Sequence, residues 1–143
     1  GDAFWTAEGT DCQCSARPVA AKGAVMSGFS DAKIRLRIVM GDDHRIGPGK
    51  VDLLEAIART GSIAAGGREL GMSYRRAWLL VDALNTLFNE SVVTTAAGGV
   101  NGGGAQLTPL GRALVAAFRE VEKQTQAAMI EAFAPFSSHL RAN

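Results

Sequence analysis

Two adjacent arginines follow a serine and a tyrosine in the run Ser73-Tyr74-Arg75-Arg76. A guanidinium is a flat fork of N–H donors that can engage two acceptors at once, on a guanine edge or on a phosphate. A serine just ahead of an apolar period is the residue type that accepts hydrogen bonds from the orphan amides of a first helical turn. The run therefore reads as a capped helix whose opening residues offer donors. That is the chemistry of recognition, not of bond making. Arg68, shortly before it, is a further candidate for a phosphate contact, and Tyr74 could add its hydroxyl. His44 and His139 are isolated in sequence and read as solvated. Cys12 and Cys14, separated by one residue, are poor disulfide partners and too few for zinc, so they read as plain thiols. No nucleophile, base and orienting group assemble. The chain is expected to be no enzyme and to need no metal or cofactor.

The helix that carries the arginines must be positioned by its neighbours. Lys33 to Met40 alternates apolar residues with Arg35 and Arg37, the period of a strand with one wet face. Gly47-Pro48-Gly49 is a turn, with Pro48 able to open a helix. Val51, Leu54, Ile57 and Ala58 then form a helical stripe that Gly61 closes. Ser62 caps a short helix ending near Gly71, where Gly66 and Gly67 permit close packing. In the third helix Tyr74, Ala77, Trp78, Val81, Leu84 and Asn85 cluster at 100° per residue, which places both aromatics mostly in the core. Arg76 and Leu79 point away from them, with Arg75 on a flank.

Val92 and Val93 begin a strand, and Ala105 to Leu107 return it. Between them Gly98, Gly99, Gly102 and Gly103 make a flexible wing whose small tip suits close approach to a nucleic-acid backbone. Thr108-Pro109 opens a last helix running to about Pro135. That helix outlasts what a small core needs. Leu114, Phe118, Val121, Thr125 and Ala128 on its stripe are expected to self-pair in a homodimer. Residues 1–27 read as a flexible leader, 28–135 as the domain with its dimerisation helix at about 108–134, and 136–143 as a tail.

Composition narrows the class. The chain has 143 residues, 47% hydrophobic and 20% charged, enough for one folded domain. No apolar run reaches the roughly 20 residues of a membrane helix, and a cytoplasmic protein is expected. Net charge is only +1, so any nucleic-acid binding must come from where charges sit. The fold class is mainly α (α+β): a winged helix-turn-helix with an N-terminal strand, a glycine-rich β-hairpin wing and a long C-terminal dimerisation helix. Such a fold presents the start of its second motif helix to base edges in the major groove.

The run LLEAIARTGSIAAGGRELGMSYRRAWLLVDALN, with TTAAGGVNGGGAQLTPLG after it, resembles the N-terminal DNA-binding domain of the molybdate-responsive ModE regulators, relatives of the LysR-type helix-turn-helix. The likeness extends from about Ile34 to Met129. It implies a transcriptional regulator that binds palindromic double-stranded operator DNA as a dimer. Two positions depart in the wing, Thr95 and Val100, where the family has Arg and Lys. A third is Leu79, where the family often has Asp; with Leu80 it puts apolar bulk near the exposed face. The family's molybdate-binding domains would follow this one, so no molybdate binding is expected of these 143 residues. The rival reading is a winged-helix adaptor that holds a protein partner on Leu79 and Leu80 and has little DNA affinity. A third is an oxyanion-binding protein using loops and helix ends at a dimer interface.

Overall fold

The computed structural model describes residues 28–96 and 104–141. The described residues fall into two compact units, one within 33–129 and a smaller one formed by 28–32 with 130–141. In the larger unit β1 (Ile38–Met40) pairs antiparallel with β2 (His44–Ile46) through a turn in which Gly41 has φ 63°. Three helices follow: α1 (Pro48–Thr60), α2 (Ile63–Glu69) and α3 (Tyr74–Leu87). The wing strands β3 (Val93–Thr95) and β4 (Ala105–Leu107) pair antiparallel, and α4 (Pro109–Phe133) leads out of them. The architecture is mainly α, a winged helix-turn-helix with a long last helix.

α1 supplies the centre of the core. Val51, Leu53, Leu54, Ala56 and Ile57 are buried in it, and Ala77, Val81, Leu84, Val92 and Phe118 close around them. Proline at its first turn and Gly61 in the left-handed conformation (φ 79°) bound the helix as expected. A side chain on Gly66 would lie 3.1 Å from Ile57 Cγ1 and backbone N. One on Gly67 would lie 2.8 Å from Ala77 Cβ. The glycine pair therefore sets how closely α2 approaches both α1 and α3. Gly111, in the first turns of α4, is tighter still: a Cβ there would meet the Val92 carbonyl oxygen at 2.2 Å.

The expected strand from Lys33 is shorter than its alternation suggests. Only Ile38–Met40 pairs, and its partner His44–Ile46 lies just ahead of the Gly47-Pro48-Gly49 turn. The Ile34 amide donates instead to Gln126 Oε1 at 2.9 Å, while Leu36 leans on the core. Ile38 and Val39 stay exposed, while Met40 and Ile46 of the same hairpin pack on the core. His44 lies exposed in β2.

The smaller unit has a core of its own. Phe133 meets Phe29 at 5.2 Å and Phe136 at 5.4 Å between ring centroids. The Phe29 amide donates to Ser137 Oγ. Residues Ala134–His139, expected to be mostly tail, form a 3-10 helix.

α4 is tied to α1 by charge. Arg119 donates to Glu55 at 2.8 and 3.1 Å, to Asp52 at 2.6 Å and to Glu122 at 2.7 Å. These hydrogen bonds hold the Glu55 carboxyl below its ordinary range against an opposing push from burial. A depressed carboxylate stabilises the fold above its unfolded value and loses that contribution as pH falls through the folded one. Arg119→Met is expected to cost about 1 kcal/mol at pH 7, since partly exposed ion pairs contribute roughly 0.2–1 kcal/mol each. Urea unfolding should show the gap between the two proteins narrowing below about pH 4, where carboxylates protonate.

Candidate nucleic-acid interface

The turn between α2 and α3 is built as its sequence indicates. Ser62 Oγ accepts from the Ala65 amide at 2.9 Å, and Ser73 Oγ from the Arg76 amide at 3.1 Å. Gly71 sits at φ 74°, and the Met72 amide returns to the Gly67 carbonyl at 2.9 Å. This reverses the chain within a few residues and sends α3 out with its first turn in solvent. Ser73, Tyr74, Arg75 and Arg76 are exposed there, and Arg68 is exposed at the end of α2. Among the described residues none of these three arginines forms an ion pair. Their guanidinium donors are free to take acceptors from outside.

The inward face of α3 differs from the expected one. Ala77, Val81 and Leu84 are buried, whereas Trp78 is 45% and Tyr74 58% exposed. The reason is the close approach at Gly67. A methyl at position 77 fits beneath α2; an indole does not. The helix therefore turns its small residue inward and carries Trp78 outward beside Leu79, which is also exposed. Tyr74, Arg75, Trp78 and Leu79 together line a shallow hollow of about 300 Å³. Leu80, expected near the exposed face, packs against the core instead.

Asn85 joins α3 to the wing. Its Oδ1 accepts from the Val92 and Val93 amides at 2.7 and 3.2 Å, and its Nδ2 donates to the Val93 carbonyl. The wing base also reaches back to α1 through the Ala105 amide, which donates to the Gly61 carbonyl at 2.8 Å. Thr95 lies exposed at the end of β3. The wing positions Gly98, Gly99, Val100, Gly102 and Gly103 lie outside the described residues.

The five residues expected on a self-pairing face are not equivalent. Phe118 is buried in the chain's own core, and Leu114 packs against it. Phe118 points inward because α4 must cover α1 before it can offer a face to another chain. Val121 and Ala128 are exposed, and Thr125 is half-buried with its hydroxyl bonded to the Val121 carbonyl.

No family model matches the chain. It is similar to the molybdenum-pterin-binding protein MopB of Rhodobacter capsulatus, 54% identical over 78 residues, which are 54% of this chain and 29% of that protein. The molybdenum transport protein ModE of Azotobacter vinelandii is 44% identical over 80 residues, 56% of this chain and 30% of the relative. The DNA-binding transcriptional dual regulator ModE of Escherichia coli is 37% identical over 84 residues, 59% of this chain and 32% of that protein. The matched segment is similar to about 80 residues of these MopB and ModE proteins. It spans about a third of the length of these curated relatives.

Helical periodicity places Asn85 on the inner side of its helix but does not reveal its part in seating the wing. Three hydrogen bonds to one strand start are invisible to helical periodicity. Asn85→Ala would strand two backbone amides, at roughly 1–3 kcal/mol for each buried group left unmet. Trp78→Ala is expected to cost well below the roughly 3–5 kcal/mol of a buried tryptophan. Urea unfolding of both variants should rank Asn85→Ala as the more damaging; the reverse order would return Trp78 to the core.

Proposed function

We propose that this chain is a transcriptional regulator of the ModE type that binds double-stranded operator DNA as a homodimer, from the cytoplasm and without catalysis. The observation that carries the reading is the pair of exposed, unpaired guanidinium groups of Arg75 and Arg76 in the capped first turn of α3. In a helix-turn-helix that turn meets base edges, and Arg can grip guanine with two hydrogen bonds. The name of the Escherichia coli relative, a DNA-binding transcriptional regulator, agrees with it. Ser73, Tyr74 and Arg68 would contact flanking phosphates, and the glycines of the wing would lie along the backbone. The proposal concerns the matched segment and assigns it no molybdate site.

Selection of bound sequences from random DNA should return a palindrome with half-sites about one helical turn apart. Arg76→Ala is expected to weaken the selected site by about 1–3 kcal/mol and to relax the choice of base at one position per half-site. Unchanged affinity with unchanged preference would remove Arg76 from base reading.

Self-pairing is assigned to the outward side of α4, where Val121 and Ala128 face solvent and Leu114 and Thr125 lie half-covered. Val121→Glu would place a charge in that contact. Light scattering should then report a monomer at concentrations where the parent protein is a dimer. A dimer that persists would move the interface elsewhere.

One observation favours a second reading. The exposed Tyr74, Trp78 and Leu79 form an apolar patch on the face expected to meet DNA, which suits a protein-binding adaptor. An adaptor would show little affinity for any duplex even at low salt.

A further inference from the structure

The residues around the start of α1 gather positive charge in one place. Arg35 and Arg37 precede β1, Arg45 lies in β2, Lys50 in the first turn of α1, and Arg76 reaches the same space from α3. Together they line an open cavity of about 630 Å³, and none of its lining residues is acidic. Among the described residues none of the five forms an ion pair. The acids of α1, Asp52 and Glu55, are taken up by Arg119.

Lys50 is fixed at the site, its Nζ donating to the Arg45 carbonyl at 2.6 Å. Burial, and then the charges of Arg45 and Arg37, push its ammonium below the ordinary lysine range. Repulsion among these cations is therefore present in the free protein, and an arriving anion would relieve it. The first turn of α1 adds to the same field. It contains no acidic side chain, and its Gly47 cap offers no side-chain acceptor.

Volume and layout decide the kind of anion. The cavity equals about twenty waters at roughly 30 Å³ each, more than one small oxyanion fills. Its cations come from four separate segments, and Arg76 belongs to the helix assigned to the major groove. We propose that this cavity seats backbone phosphates of the bound duplex beside the groove that α3 enters, making Arg37, Arg45 and Lys50 a second anchor on the side of α3 served by the β1–β2 hairpin. The inference rests on the operator-binding reading above. It assigns phosphate contact to residues that the helix-turn-helix and wing do not include, and gives Arg76 the choice of reaching a base or sharing a phosphate.

Each neutralised phosphate releases counterions and steepens the fall of log K with log salt by about 0.9. The test uses fluorescence anisotropy of the selected duplex and an unrelated one, across a series of KCl concentrations. Arg37→Gln with Arg45→Gln is expected to weaken both duplexes by the same factor, about ten- to a hundredfold. The salt slope should become shallower by about two. The Arg37→Lys, Arg45→Lys counterpart, with a melting temperature matched to the parent, should recover the slope. Wild-type affinity and slope in the glutamine variant would overturn the anchor while leaving operator binding intact. A loss confined to the selected duplex would overturn it too, by making these residues base readers. No affinity of the parent protein for any duplex at low salt would instead sink the operator reading, and the anchor with it. Calorimetry with inorganic phosphate and with molybdate supplies the last arm. Heat that disappears in the glutamine variant, with the duplex slope unchanged, would assign the cavity to a free oxyanion and overturn the proposal.

Discussion

The backbone of Val92 is the point on which the geometry of the wing depends. Its amide is held by Asn85 of α3, and its carbonyl accepts from the Thr108 amide at 2.9 Å. Thr108 adds its hydroxyl to the Ser91 carbonyl and accepts from the Gly111 amide, capping α4 at the same place. Gly111 must lack a side chain because α4 passes directly over that carbonyl. Three elements thus meet at one fully buried residue: α3, the first wing strand and the start of the long helix. A buried peptide group without partners would cost about as much as a lost hydrogen bond, so the junction is either complete or strongly disfavoured. The wing and α3 therefore hold a fixed spacing, as the proposed grip on a rigid duplex would require.

Close backbone approach repeats one layer away and decides what α3 shows to solvent. Gly67 against Ala77 leaves no room for a large side chain between α2 and α3. The inward arc then centres on Ala77, Val81 and Leu84, and the aromatic residues are carried outward by the geometry of the turn. The exposed arginines and the exposed apolar patch have a common origin in the close approach at Gly67. A face of this mixed kind can place donors on base edges while its apolar members touch thymine methyls or a partner protein.

Much of this was legible before any coordinates. Caps and stops announce themselves because each needs a particular residue: Ser62 and Ser73 bond their helix amides, Gly61 and Gly71 take positive φ, and Pro109 starts α4 as a proline can. The wing strands followed from turn chemistry on either side. Helical periodicity failed where two arcs were nearly equal. Trp78 lies 100° from Ala77, and hydrophobicity alone favours the larger residue for burial, whereas interhelical distance favours the smaller. Phe118 went astray by a related route, since a stripe of apolar residues on a long helix does not say which part faces home. The β1–β2 hairpin was missed because its pairing depends on Gly41 and on a second strand, His-Arg-Ile, with no alternation to mark it. The cationic cavity joins residues up to 41 positions apart, and no local pattern links Arg35 to Arg76.

Near-neutrality of the whole chain conceals how its charges are arranged. A net charge of +1 suggests a weak field, and would do so if acids and bases were interspersed. They are not. Arg119 draws Asp52, Glu55 and Glu122 into one cluster, and Arg59 pairs with Glu69. The Arg59–Glu69 pair is neutral, while the Arg119 cluster sets one guanidinium against three carboxylates and stays acidic, with a reach limited by screening to the Debye length, about 8 Å at physiological salt. Among the described residues, the cations without an ion pair around the cavity and the first turn of α3 are Arg35, Arg37, Arg45, Lys50, Arg75 and Arg76, while the unpaired acids Asp42 and Asp43 sit in the β1–β2 turn and Asp82 farther along α3. The electrostatic surface that an approaching polyanion meets is set by this remainder and not by the total. Pairing on α4 therefore serves two ends at once: it fastens the long helix to the core, and it directs the carboxylates of Asp52 and Glu55 toward Arg119 and away from the lining of the cationic cavity around Lys50.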